Sequence, residues 1–471
     1  MKRIATLLLA VTLVFGLALN SEVRAADISS SGAAAAPVTT APAKPDWRET
    51  YAYMQGMQAF VFGFPWVFLS DVRWKWVTQH THSDNAPYAP LNQFFHARTL
   101  ATAKYRDGGT PNNDTLYSIA WLDLTNEPLI LSVPDVGDRY YTMEMASFDA
   151  DNFAYVGKRT TGTKAGNYAI IGPNWKGTLP KGDIALPRSR TNAALIIGRT
   201  LVLDPDDVAA VNHIQDQYKM TPLGLWGTNK TAPANRDVWQ PFDPRTDPLA
   251  VWKTMNRAMA ENPPFEGQAA IVRSYAEIGI GPGLDVTKVD AATQAGLKRA
   301  VVDGMALLRM AMSAMGKKVN GWVYPPVAMG RSGLADLFLL RASLQCLGGI
   351  LANDIAEAIY MNTATDVDGA RLSGANNYTI HFAPGGAPQG ALWSLTMYGM
   401  DNNFVVNPIN RYKLGSLPKG SITPDPDGGM TLSIGNKPPT NGTTNWLPAP
   451  EGDFYLVLRT YMPEGALLNQ T

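Results

Sequence analysis

The hydrophobic period of the chain changes along its length, and that succession limits it to a fold of mixed class. Tyr51, Met54, Met57, Val61 and Phe64 recur every three or four positions, the spacing of one helix face. Gly63 and Pro65 are expected to interrupt this helix, with a second piece running towards Val77. In Thr115–Asp123 the period falls to two, with Tyr117, Ile119 and Trp121 on one side and Leu116, Ser118 and Ala120 on the other. Arg139–Phe148 repeats the alternation, and Leu129–Val133, Tyr168–Ile171 and Leu195–Leu203 read as further strands. Asn126-Glu127-Pro128, Pro134-Asp135 and Gly172-Pro173-Asn174 divide them, and short turns between strands predict antiparallel pairing. Helix returns at Asp204-Pro205, an N-cap followed by a first-turn proline. Helical spacing then fits Leu249–Glu261, Gln268–Glu277, Thr287–Met315 and Leu334–Asn362. From Tyr378 the period is two again, in Trp393–Tyr398, Thr431–Ile434 and Phe454–Tyr461. The expected class is α+β: two antiparallel β-sandwich modules, jelly-roll-like, at 47–220 and 363–471, joined by a connector and helical segment at 221–362.

Lys2 and Arg3, the apolar run Ile4–Leu19 and the small residues of Val23-Arg24-Ala25 have the three-part form of a secretory signal peptide. Cleavage is expected after Ala25, which predicts a periplasmic or secreted protein with no membrane span once the signal is removed. Residues 26–46 are Ala, Pro, Ser and Thr with almost no large apolar side chain, a disordered linker. Lys and Arg number 40 against 40 Asp and Glu, so a broadly basic nucleic-acid binder is excluded. Cys346 is the single cysteine, so no internal disulfide forms, and its apolar surroundings predict a buried, inert thiol.

The segment Gly108-Gly109-Thr110-Pro111-Asn112-Asn113-Asp114-Thr115-Leu116-Tyr117 is a turn feeding directly into a strand. With Trp121-Leu122-Asp123-Leu124, Arg139-Tyr140-Tyr141 and Gly157-Lys158-Arg159-Thr160-Thr161-Gly162, it resembles a bacterial family defined by a domain of unknown function, number 1254. The C-terminal half resembles the companion domain of unknown function, number 1214, through Trp393-Ser394-Leu395-Thr396-Met397-Tyr398, Asn407-Pro408-Ile409-Asn410-Arg411-Tyr412 and Asn445-Trp446-Leu447-Pro448-Ala449-Pro450. The resemblance implies two β-sandwich modules joined by helices and implies little chemistry.

The chemistry is therefore read from residues. The chain has no Gly-x-Ser-x-Gly elbow, no phosphate-cradling loop and no His-Glu-x-x-His. Asp114 and Tyr117 are expected at a pocket, with Asn113 ordering the backbone and His96 and Glu144 as the nearest acid–base groups. Trp121, Trp393 and Tyr398 are candidate ligand-binding aromatics. The bland readings stay open: Asp114 caps its own turn, and Glu144 pairs with Arg139 or another cation. His80-Thr81-His82 has a spacing that can chelate a divalent metal, and equally fits a solvated loop. Arg341 falls between Leu337 and Leu344 on an apolar stripe, where a charge must be paired or reach a polar cavity. Asp336, Asp354 and Glu357 are its local candidate partners, and anion binding at a domain junction is the alternative.

These residues lead to a hydrolase-like or lyase-like enzyme acting on a small, partly apolar molecule in an aromatic-lined pocket. The alternative is a non-catalytic periplasmic binding protein for a carbohydrate or lipid-like ligand, and a structural envelope protein is a third reading. A small molecule is the expected partner, and a homo-oligomer is compatible with the sequence.

Overall fold

The first helix, α1 (Trp47–Thr78), runs unbroken through Gly63 and Pro65, where an interruption was expected. Gly63 is a point of close approach: a Cβ there would fall 2.4 Å from Met255 Sδ. Phe60, Phe62, Phe64, Pro65 and Trp66 around it are all buried, and this packing offsets the backbone bond that proline removes. The residues covering α1 come from α3 (Ala250–Glu261) and α5 (Ala291–Ala314). At Gly296 of α5, a Cβ would fall 2.3 Å from the Glu49 carbonyl oxygen, so the two backbones meet where only glycine fits. Of the smaller helices, α4 (Ala269–Ser274) joins this layer through Val272, whereas α2 (Val208–Gln215) packs through Val211 on Leu116 and Val202. This computed structural model describes residues 46–78, 87–106, 109–182, 184–440 and 442–470. The expected signal peptide, nearly all of the linker, and His80 and His82 lie outside the described residues.

The architecture is α+β with mainly antiparallel sheets and a helical middle, as expected, but the described residues form four sheets rather than two modules. Numbering strands along the chain, the first sheet has the order β1 (Phe95–His96), β2 (Thr115–Asp123), β8 (Ala193–Leu201), β4 (Tyr141–Ser147), β5 (Asn152–Gly157). The second is β7 (Ile184–Ala185), β6 (Gly166–Ile170), β3 (Leu129–Val133), β9 (Lys219–Pro222). One hydrophobic cluster joins them, with Leu122, Met143 and Ile196 from the first and Leu129, Leu131 and Ile170 from the second. The opposite face of the first sheet, through Trp121, Leu195 and Ile197, packs into the cluster built on α1, α3 and α5.

The third sheet has the order β10 (Lys317–Val319), β11 (Trp322–Tyr324), β12 (Ala358–Thr363), β18 (Phe454–Tyr461), β14 (Leu392–Gly399), β15 (Lys413–Gly415). The fourth is β13 (Tyr378–Phe382), β16 (Met430–Gly435), β17 (Trp446–Pro448). Ile359, Leu395 and Leu458 of the third share a cluster with Leu432, Ile434 and Leu447 of the fourth. Further along the Trp121 face of the first sheet, polar residues such as Arg199 meet the polar face of the third sheet. Tyr140 and Leu201 from one side and Ala358, Leu392 and Tyr461 from the other form a small apolar cluster along that seam.

The helix expected over Leu334–Asn362 is corrected. A short turn of helix, α6 (Phe338–Leu340), passes into a π-helical segment, Arg341–Leu347. Gly348-Gly349 ends it, and Ile350 (φ 48°) and Leu351 (φ 65°) then take left-handed backbone, which is costly for such side chains. The rest becomes β12, paired from Ala358↔Tyr461 to Thr363↔Leu456 with β18. Leu351, Ile355 and Ile359 sit at helical spacing, but a place between β11 and β18 in a sheet outcompetes local propensity. Among the described residues no helix is long and apolar enough to cross a membrane.

Candidate functional site

Strand β8 lies between β2 and β4, and its register sets the site. Tyr117 pairs with Arg199, which pairs with Thr142; one step along, Ile119 pairs with Ile197, which pairs with Glu144. Directly paired residues share a face, so Tyr117, Arg199 and Glu144 project together towards the seam. Arg199 Nη1 donates to Glu144 Oε2 at 2.6 Å, and the guanidinium lies 5.5 Å from the Tyr117 ring centroid. Both charged side chains are buried. Burial pushes the Glu144 carboxyl up to about 7 against the opposing pull of Arg199. Glu144 Oε1 has no hydrogen-bond partner. Asn152 lies beside the carboxyl and lowers it weakly, while its Nδ2 also meets Tyr155 Oη, Ala352 O and Asp354 Oδ1.

The facing wall comes from the third sheet. Asn353, just after the left-handed pair, accepts from Arg199 Nη1 at 3.5 Å and donates to Tyr360 Oη at 2.9 Å. Tyr360, Arg459 and Ser394 are direct neighbours across β12, β18 and β14. Arg459 Nη2 donates to Tyr398 Oη at 2.7 Å and to Thr110 O at 3.3 Å, and its guanidinium lies 5.9 Å from the Tyr360 ring centroid. Thr110 is itself left-handed, at φ 55°. Tyr117 and Tyr360 keep partial exposure, whereas Glu144, Arg199, Arg459 and Tyr461 behind them are buried.

Asp114 closes one end of the seam. Its carboxylate accepts from Lys413 Nζ and, at 2.7 Å, from Ser394 Oγ. Burial pushes its carboxyl up, but Lys413 and Arg459 together outweigh this and hold it below the ordinary carboxylate range. The turn is capped not by Asp114 but by Asn112, whose Oδ1 accepts from the Asp114 N–H at 2.6 Å while Nδ2 donates to Tyr461 Oη at 2.9 Å. At the other end, Glu357 accepts from Tyr140 Oη at 2.7 Å and from Arg159 Nε at 2.6 Å.

The seam therefore brings together Asp114, Tyr117, Glu144 and Tyr398 of the residues expected from sequence. Asn113 stands at its edge, its side chain donating to Ala101 O at 2.6 Å and its carbonyl accepting from Lys413. His96 is not with them. It pairs with Ser118, on the opposite face of β2 from Tyr117, and its Nδ1 lies 2.8 Å from Ser118 Oγ. Burial, and then Arg98, lower His96 to about 4, so it is a neutral ring stacked on Phe94. Trp121 packs on Phe148 beside a small crevice with Trp76 and Phe95. Trp393, an odd number of positions from Tyr398, points the other way and packs on Phe382 in the C-terminal core. Glu144 pairs with Arg199, and Arg139 is taken by Asp207.

Arg341 is fully buried outside the seam, in the helical layer. Its Nη2 donates to Phe62 O at 2.6 Å, and the rings of Phe62, Trp66 and Phe338 surround the guanidinium at 5.1 to 5.5 Å. Its charge acts on Asp149 and Asp151, not on the three carboxylates expected. Asp354 and Glu357 are occupied by Arg331 and Arg159. Arg190 bridges Asp149 and Asp151, and burial, and then Asp149, raise Asp151 to about 6. Among the described residues no group of three or more His, Cys, Asp or Glu is placed to hold a metal ion.

Arg199, Asn353, Tyr360 and Arg459 were not anticipated as site residues. Arg199 and Arg459 each stand alone in an apolar strand, the same signal that singled out Arg341.

A family model described as a protein of unknown function (DUF1254) matches residues 91–222, and one described as a protein of unknown function (DUF1214) matches residues 357–465. The first contains Asp114, Tyr117, Glu144 and Arg199; the second contains Tyr360, Lys413 and Arg459. Among solved structures, the VPA0106 protein from Vibrio parahaemolyticus aligns with 88% of this chain and 96% of its own, at 23% identity and a TM-score of 0.68, a likeness of fold. An uncharacterised protein from Burkholderia cenocepacia aligns over 89% of this chain and 92% of its own at 12% identity, with a TM-score of 0.42. No curated protein matches the chain.

Proposed function

We propose a hydrolase-like or lyase-like activity for this chain, which belongs to the family pairing a DUF1254 domain with a DUF1214 domain. The reading rests on one observation: Glu144 is held at Oε2 by Arg199 while Oε1 is left without a partner in a buried, tyrosine-lined seam. A carboxyl raised to about 7 is divided between acid and base at neutral pH, which suits it to take and return a proton. Arg199 fixes the carboxylate's orientation, so the free oxygen is the one that meets a substrate or a water. Tyr117 and Tyr360, mostly buried, give the seam an apolar lining for a small, partly apolar molecule. Export to the periplasm through the signal sequence belongs to the same reading.

The test is turnover of a panel of small aromatic and alicyclic esters by the mature chain and by Glu144→Gln. The expected result is a loss of about 10²- to 10⁴-fold in kcat in the variant, with the fold retained. Unchanged turnover would remove Glu144 from the chemistry. Ligand binding without any turnover would favour the second reading, a periplasmic binding protein for a carbohydrate or lipid-like molecule. Tyr117 and Tyr360 at the seam support that reading, since aromatic rings serve binding without catalysis.

A further inference from the structure

Charge in the seam does not balance. Arg199, Arg459 and Lys413 face the carboxylates of Glu144 and Asp114. The neighbouring cations Arg159 and Arg331 are matched by Glu357 and Asp354. Arg459 is the one left over: it is buried and fully enclosed by Tyr398, Tyr360 and the Thr110 carbonyl, with no carboxylate in ion-pair contact among the described residues. Both seam arginines also keep unused donors. Every hydrogen bond of Arg199 leaves from Nη1, and its buried Nε has no partner. Every hydrogen bond of Arg459 leaves from Nη2, and its buried Nη1 has no partner. A buried guanidinium N–H without an acceptor is unfavourable; the seam holds two, in addition to those on Arg73 and Arg341 elsewhere. Arg459 covers the face of Tyr360, and Arg199 reaches the Tyr360 hydroxyl through Asn353.

We propose that the seam binds the carboxylate of a small monoanion through Arg199 and Arg459, with the apolar body of that molecule against Tyr117 and Tyr360. The inference rests on the seam being the functional site and names the class of molecule it takes. With Glu144 ionised, one positive charge is unmatched, and a monoanion balances the seam. Guanidinium groups match the planar, two-oxygen geometry of a carboxylate. The mostly buried tyrosine rings select an aromatic or alicyclic body over a bare ion such as acetate.

The experiment is calorimetric titration of the mature chain at neutral pH with benzoate and cyclohexanecarboxylate, and with benzamide and cyclohexanecarboxamide as neutral partners of the same shape. The carboxylates should bind at least about tenfold more tightly than the amides. Raising salt from low to moderate ionic strength should narrow a buried-site preference only slightly. Arg459→Gln should abolish the preference; should that variant fail to fold, the comparison of acid with amide on the wild-type chain decides alone. Equal affinity for acid and amide, or no carboxylate binding up to about 10 mM, overturns the inference. Equal affinity abolished by Tyr360→Ala would leave the seam as the functional site while refuting the anion. Carboxylate preference with no turnover of any ester would keep the anion site while refuting the enzyme.

Discussion

The Asp114 carboxylate and the Lys413 ammonium, 299 residues apart in sequence, form a buried ion pair across the seam between the first and third sheets. The turn that carries Asp114 is thus a clamp on the C-terminal half of the chain. Removing the carboxylate leaves the Lys413 charge without its partner, which costs about 3–5 kcal/mol for a buried pair. Asp114→Asn should therefore lower unfolding stability by about that amount, measured by urea unfolding at neutral pH. The Asp114 carboxyl is lowered in the folded chain, so its contribution is complete above the unfolded value of 3.8 and disappears as pH falls through the folded one. The gap between wild type and variant should close in that acid range. A variant as stable as wild type at pH 7 would show that the clamp carries no load.

Glu144 has the opposite sign. Its folded carboxyl, at about 7, lies above the unfolded value of 4.5, so the proton favours the folded state. The contribution is complete below 4.5 and is lost as pH rises through about 7. Relative to Glu144→Gln, the wild-type chain should lose about 3 kcal/mol between these limits and change little above them. Parallel stability curves for the two proteins across that range would mean Glu144 ionises normally.

Arg341→Ala should destabilise by about 3–5 kcal/mol, because Asp149 and Asp151 lose a buried counter-charge and the Phe62 carbonyl loses its donor. A double-mutant cycle with Asp151→Asn should show coupling above about 1 kcal/mol. Additive losses would mean that the three aromatic rings, not the carboxylates, hold the guanidinium.

His96 should stay neutral through physiological pH, since burial and Arg98 lower it to about 4. Its folded value is below the ordinary 6.5, so the stability it contributes is present above 6.5 and declines as pH falls towards 4. The imidazole signals of His96 in a proton NMR titration should not move between pH 6 and 8. A midpoint near 6.5 would return His96 to the list of acid–base groups.

Much of the β-structure was legible because its cause is local. Leu129–Val133 and Phe454–Tyr461 end where turn residues end them, and their nearly continuous apolar runs mark strands buried on both faces. Glu144 and Tyr117 could be picked out as polar residues on strands, but their meeting depends on β8 lying between β2 and β4, a long-range pairing that no local pattern encodes. The misread helix at Leu334–Asn362 has the same origin: Leu351, Ile355 and Ile359 fit helical spacing, while the partner that makes Ala358–Thr363 a strand arrives about a hundred residues later. Arg199 was visible as a lone charge in an apolar strand; its role was not, since Asn353 and Tyr360 come from the other half of the chain.

The seam also sets the order in which the chain can mature. When the first sheet has been synthesised, Asp114 has no Lys413, Tyr140 and Arg159 have no Glu357, and Tyr117 and Arg199 face no second wall. The last strand, β18, brings Arg459 and the Tyr461 hydroxyl that Asn112 needs, and it also completes the pairing of β12. Each half thus supplies counter-charges and hydrogen-bond partners that buried groups of the other half need.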